Sequence, residues 1–178
     1  MNEPKKLIDT PSQTAGPFLH IGCTPRITGI NIFKSELGLT PFQDISDNEA
    51  INIKGKIYDG NGEPIIDAMI ETWQCDANGN YSSNQGFARI VTDFKTGEYQ
   101  LKTIRPGNKI NTDGSLSASY ITFWIVARGM NRPLITRMYF LENDLKNDLM
   151  LNNIKIEDRL NTLIPVSYTH LRAHETPI

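Results

Sequence analysis

An all-β fold, an antiparallel β-sandwich with an extended N-terminal arm, is what this sequence predicts, and three observations support it. Apolar and polar residues alternate with a period of two in several short runs. Turn formers interrupt those runs roughly every eight to twelve residues. Just one stretch, ENDLKNDLMLNNI (142–154), has the texture of a short helix, with Asn143 or Asp144 as its cap.

The arm comes first. Residues 1–50 show weak periodicity and many turn formers, among them Pro11, Gly16, Pro17, Gly22, Pro25, Gly29 and Pro41, so this segment needs another surface to order it. INIKGKIY (51–58) alternates Ile51, Ile53 and Ile57 against polar neighbours, with Gly55 as a candidate bulge. DGNGEP (59–64) is a dense turn signal, and IIDAMIETW (65–73) then sets Ile66, Ala68 and Ile70 on one face. ARIVTDF (88–94) and EYQLKTI (98–104) are the next strands, separated by KTG; RPG (105–107) opens a loop of Asn, Thr, Asp and Gly. YITFWIVARG (120–129) is apolar on both faces, which marks a central strand. Its even positions, Tyr120, Thr122, Trp124, Val126 and Arg128, share one face, and LITRMYF (134–140) completes a hairpin with it.

At 178 residues, 39% hydrophobic and 21% charged, the chain suits one globular domain with a sizeable core. A formal net charge of −2 argues against a nucleic-acid partner. No apolar run is long enough to cross a membrane, and MNEPKKLIDTPSQ lacks the apolar centre of a secretory signal, so a cytoplasmic location is expected. In that compartment Cys23 and Cys75 are expected as two buried thiols, a structural disulfide being the alternative.

Two stretches are more specific than sandwich texture. ETWQCDANGNY (71–81) follows the pattern E-x-W-Q-x-D-x-x-G-x-Y and resembles the signature of the intradiol ring-cleavage dioxygenases, which open catechols with a non-haem ferric ion. TPSQTAGPFLHIG (10–22), together with WIVARGMNRPLITRMYF (124–140), resembles the alpha chains of the protocatechuate-cleaving branch, the protocatechuate 3,4-dioxygenases, assemblies of homologous alpha and beta chains. The resemblance covers roughly residues 10–164 and implies intradiol cleavage of protocatechuate by dioxygen to 3-carboxy-cis,cis-muconate, within aromatic (beta-ketoadipate) catabolism.

In the catalytic members of that family two tyrosines and two histidines hold the iron, hard anionic phenolates suiting a ferric ion. Carried over to this sequence, the first tyrosine is Tyr81; the second position falls at Lys109, and the histidine pair falls at Tyr120 and Thr122. One ligand of four survives, and a lysine at a ligand position opposes a cation. The resemblance therefore implies that this chain binds no metal itself and that ferric iron sits in the partner beta subunit. Tyr81 is then expected as a buried tyrosine with its hydroxyl satisfied.

Histidines are few: His20, His170 and His174. Tyr168, His170 and His174 in VSYTHLRAHET (166–176) make a plausible ferric ligand set, yet those eleven residues are also the in-frame translation of a transposase-based sequencing adapter. Residues 165–178 are accordingly expected to be foreign, 51–164 to be the sandwich, and its last strands to be missing, with an uncovered sheet edge as the consequence. NYSSNQGFARI (80–90) is shorter than the family's usual loop.

The same resemblance implies that the alpha arm, 1–50, packs on the beta subunit and helps enclose its substrate, through Thr14, Gly16, Pro17 and Phe18, with Phe18 standing where tyrosine is usual. Arg128 is the most chemical candidate, because a guanidinium near the pocket would attract and stabilise an anionic catecholate. A strand-end arginine in an ion pair is the plain alternative. The competing functions are a self-sufficient intradiol catechol dioxygenase, opposed by the histidine count, and a β-sandwich binding or assembly module unconnected with catechols.

Overall fold

The computed structural model describes residues 10–11, 13–34, 38–46, 49–140 and 148–165. Strand β1 (Ala50–Lys56) pairs antiparallel with β4 (Glu98–Ile104), forming a two-stranded ribbon. A four-stranded antiparallel sheet has the order β3-β2-β7-β8, built from β2 (Met69–Trp73), β3 (Phe87–Val91), β7 (Tyr120–Val126) and β8 (Leu134–Tyr139). β7 is central, as its two apolar faces require, and β8 returns beside it as the expected hairpin.

The odd positions of β7 build the core. Ile121, Phe123 and Ile125 join Ile70, Ala68 and Ala127 in a buried cluster, against which Ile53, Ile57 and Tyr99 of the ribbon side pack. Tyr99 and Phe123 meet with ring centroids 6.2 Å apart. Burying a side chain such as Ile121 stabilises by about 2–3 kcal/mol, so this facing pair of layers is what holds the sandwich together. The antiparallel β-sandwich is the observed fold.

Several local expectations are corrected. Gly55 is no bulge: the register runs unbroken from Ala50↔Ile104 to Lys56↔Glu98. It is instead where the Tyr99 ring lies across β1, and a Cβ there would stand 2.6 Å from Tyr99 Oη. Ile66 does not share the face of Ala68 and Ile70, because residues 66–67 turn and the strand starts at Met69. The loop after RPG holds a small hairpin, β5 (Lys109–Ile110) with β6 (Leu116–Ser117), tied by Asn111 Nδ2 donating to Ser115 Oγ and Ser117 Oγ.

In the arm, α1 (Phe18–Cys23) follows Pro17, and a 3-10 turn (Pro25–Thr28) ends at Gly29 with φ of 83°. Near the other end, α2 (Leu149–Asn152) is capped by Asp148, whose Oδ1 accepts from the N–H groups of Met150 and Leu151. Asn143 and Asp144, the expected caps, lie outside the described residues. Asp148 Oδ2 also accepts from Ala118 N–H, which docks this segment on the sheet. Leu151, with Leu160 and Leu163 of the segment around α3 (Glu157–Asn161), packs on Tyr139 and Ala118. Tyr168, His170 and His174 lie outside the described residues, as does all of 166–178. Among the described residues no helix is long and apolar enough to cross a membrane.

Candidate functional site

The run after β2, residues 74–81, is a folding device first. Gln74 is buried, accepts from Thr103 Oγ1 at 2.8 Å and donates to Ile104 C=O at 3.0 Å, so it bolts the large sheet to the ribbon. Cys75 is buried with its Sγ 3.4 Å from Gly107 C=O, and burial raises its thiol pKa, which leaves it unreactive. Asp76 Oδ1 accepts from the N–H groups of Asn78 and Asn80, closing a tight turn. Gly79 sits at φ of 82°, and a Cβ there would come within 2.1 Å of Asn108 O. Gly107 N–H donates to Asp76 C=O at 2.8 Å. The turn and the RPG loop are thereby held edge to edge, which sets Tyr81 beside Lys109.

Those two residues open onto the outer face of the large sheet. The Tyr81 ring stacks on Trp73 at 6.1 Å and 15°, and its hydroxyl donates to Tyr120 Oη at 3.4 Å. Lys109 Nζ lies 5.3 Å from the Tyr81 ring centroid. Arg137, from β8 opposite Thr122, places its guanidinium 4.3 Å over the Tyr120 ring and donates to Tyr139 Oη at 3.2 Å. So Tyr81, Lys109, Tyr120 and Thr122, four positions drawn from residues 81–122, share one face. Tyr81 is not buried as expected: it is 36% exposed, covered by the Trp73 ring and the Lys109 side chain at the surface of the sheet. Partial burial, then the hydrogen bond with Tyr120, pushes its hydroxyl well above the ordinary tyrosine value.

A second group of residues gathers at the far end of β7. That strand stops at Val126, and Arg128 lies in the following turn, so strand parity does not carry it to the Tyr120 and Thr122 face. Ala15 of the arm clasps this turn: its N–H donates to Met130 C=O and its C=O accepts from Gly129 N–H, both at 3.0 Å. The turn that bears Arg128 is thereby joined to the arm segment that carries Thr14, Gly16, Pro17 and Phe18. Its side chain is 58% exposed and pairs through Nε with the carboxylate of Asp67. The ion pair expected as the plain alternative does exist. His20, the one described histidine, is buried and donates from Nε2 to Asp67 C=O at 2.9 Å, with Nδ1 3.3 Å from Thr24 Oγ1. A third tie fixes the arm, Arg89 Nη1 donating to Cys23 C=O at 3.2 Å while the same guanidinium pairs with Glu71 at 2.6 Å.

Comparison with known proteins gives the same direction. The family described as Dioxygenase matches residues 34–163. A protocatechuate 3,4-dioxygenase alpha chain of Pseudomonas putida is 37% identical over 167 residues, 89% of this chain and 83% of that one. The chain belongs to the intradiol dioxygenase family. From Burkholderia cepacia, a protocatechuate 3,4-dioxygenase alpha chain is 31% identical over 86% of this chain and 81% of that one; a beta chain is 28% identical over 52% and 45%. The crystal structure of catechol 1,2-dioxygenase from Pseudomonas arvilla C-1 superposes with a TM-score of 0.59 at 20% identity, over 71% of this chain and 45% of that one, which speaks for the fold alone.

Intradiol dioxygenases are iron enzymes, and the outer-face cluster does not fit that ion. It offers one phenol held in its protonated form, a second phenol, a threonine hydroxyl and an ammonium. No imidazole reaches it from the described residues, since His20 is engaged with Asp67 and Thr24. Among the described residues no three His, Cys, Asp or Glu side chains gather as a metal site. Sequence reasoning found the four positions; it missed Trp73 and Arg137, which only strand pairing brings over them, and Asp67, which carried no signal 61 residues from Arg128.

Proposed function

We propose that this chain is the alpha subunit of a protocatechuate 3,4-dioxygenase and that the beta subunit holds the ferric iron. The assembled enzyme opens protocatechuate with dioxygen to 3-carboxy-cis,cis-muconate, a step in aromatic (beta-ketoadipate) catabolism, in the cytoplasm. The observation that carries the reading is a division of labour within one fold. The positions matching the family's ligands are filled by Lys109, Tyr120 and Thr122 beside Tyr81, while the arm and Arg128 are joined at the opposite end of β7 and face outward. Free Cys23 and Cys75 suit a reducing compartment.

The work of this chain's own residues is binding and enclosure. Clamped by Ala15, the turn 127–130 presents Arg128 at the surface, where its guanidinium can meet an anionic substrate held by the partner. Gly16 leaves open space on its own chain, so a ligand or partner backbone can approach it closely, and Pro17 fixes the bend beside it. Phe18, 78% exposed, offers an apolar wall in place of a hydroxyl contact. Arg128→Ala tests this in the assembled enzyme: kcat/KM for protocatechuate falls roughly tenfold, the loss of the guanidinium's charge-assisted hold on the substrate, while iron content is unchanged. Loss of iron on that substitution, or an unaltered kcat/KM, contradicts the role.

A further inference from the structure

We propose that Asp67 is the positioning residue for Arg128, aiming its guanidinium at the carboxylate of the substrate and coupling that aim to docking of the arm. This rests on the reading in which Arg128 serves the partner's site. The Asp67 side chain is only 12% exposed, and its carboxylate takes the Nε of Arg128. Among the described residues the two Nη nitrogens find no acceptor. A guanidinium held by Nε with its terminal nitrogens free is posed to receive a carboxylate through two parallel hydrogen bonds. Because Asp67 already offsets its charge, what the pair offers is direction more than long-range field.

The support beneath Asp67 is rigid. Its carbonyl accepts from His20 Nε2 of α1, and the next residue is locked on both sides, Ala68 N–H donating to Thr92 Oγ1 and Thr92 N–H to Ala68 C=O, each at 3.0 Å. Ala15 of the same arm holds the turn that bears Arg128. Arm, Asp67 and Arg128 therefore form one closed loop of contacts: undocking the arm removes one tie from each end of the ion pair.

The test is a double-mutant cycle in the assembled alpha/beta enzyme, with Asp67→Asn, Arg128→Ala and both together, each assayed on protocatechuate and on catechol, which lacks the carboxylate. Asp67→Asn keeps the carbonyl for His20 and nearly the same volume. The expected result is a KM for protocatechuate raised roughly threefold by Asp67→Asn and tenfold by Arg128→Ala, with the double variant no worse than Arg128→Ala and kcat and the catechol KM little changed. Asp67→Glu, which keeps the charge but shifts the carboxylate by a methylene, raises the same KM and serves if the asparagine variant fails to assemble. An effect of Arg128→Ala with none from either Asp67 variant overturns the positioning role alone. Equal losses on both substrates overturn it too, marking Asp67 as a purely structural residue. No effect from Arg128→Ala overturns the underlying reading as well.

Discussion

Tyr81 shows how much one residue's surroundings decide. In a ferric site a tyrosine must give up its proton, whereas here partial burial and the bond to Tyr120 Oη hold the proton in place. The folded value is raised above the unfolded value of about 10, so the stability this neutral hydroxyl contributes is complete below about pH 10 and is lost as pH climbs from there toward the folded value. Urea midpoints between pH 8 and pH 11 are therefore expected to fall less steeply for Tyr81→Phe than for the unaltered chain. Parallel curves would show that the environment of Tyr81 does not favour its neutral form. Lys109 opposes a bound cation in a different way, since its ammonium rests over the Tyr81 ring and repels positive charge there.

At the scale of elements, the turn 76–80 is the piece on which the site's shape depends. Gly79 combines a left-handed φ of 82° with backbone 2.1 Å from where a Cβ would sit, so Gly79→Ala is strained twice over. It is expected to cost about 2 kcal/mol or more in a denaturant titration and to part Tyr81 from Lys109; an unchanged midpoint would contradict that. This turn was legible beforehand because Asp, Asn and Gly have local, chain-adjacent reasons to be there. So were β4, whose alternation matches its bounds, and the β7–β8 hairpin. What stayed hidden depends on partners distant in sequence. Gly55 looked like a bulge until the Tyr99 ring was seen lying over it, Arg128 looked like a strand residue until the chain turned after Val126, and the Asp67 pairing spans 61 positions. α1 was missed for a local reason, six residues between Pro17 and Thr24 being too short for a helical period to show.

The whole molecule has an arm bound to its own sandwich at several points, from Ala15 to Pro41, and yet rich in exposed apolar surface. Phe18, Ile32, Phe33 and Leu39 are all exposed. Such side chains are the usual anchors of a subunit interface. Phe33→Ala is expected to weaken association with a beta chain by about 1–2 kcal/mol in sedimentation or co-purification, leaving the chain's own unfolding midpoint within about 0.5 kcal/mol of the original. Undiminished association would place the interface elsewhere. Division of labour between homologous chains is the account's central claim, and colour tests it most directly. The chain purified alone and reconstituted with ferric iron should show no tyrosinate–iron absorption in the visible and no cleavage of protocatechuate, both arising once a beta chain is added. A coloured, active preparation of this chain by itself would contradict it.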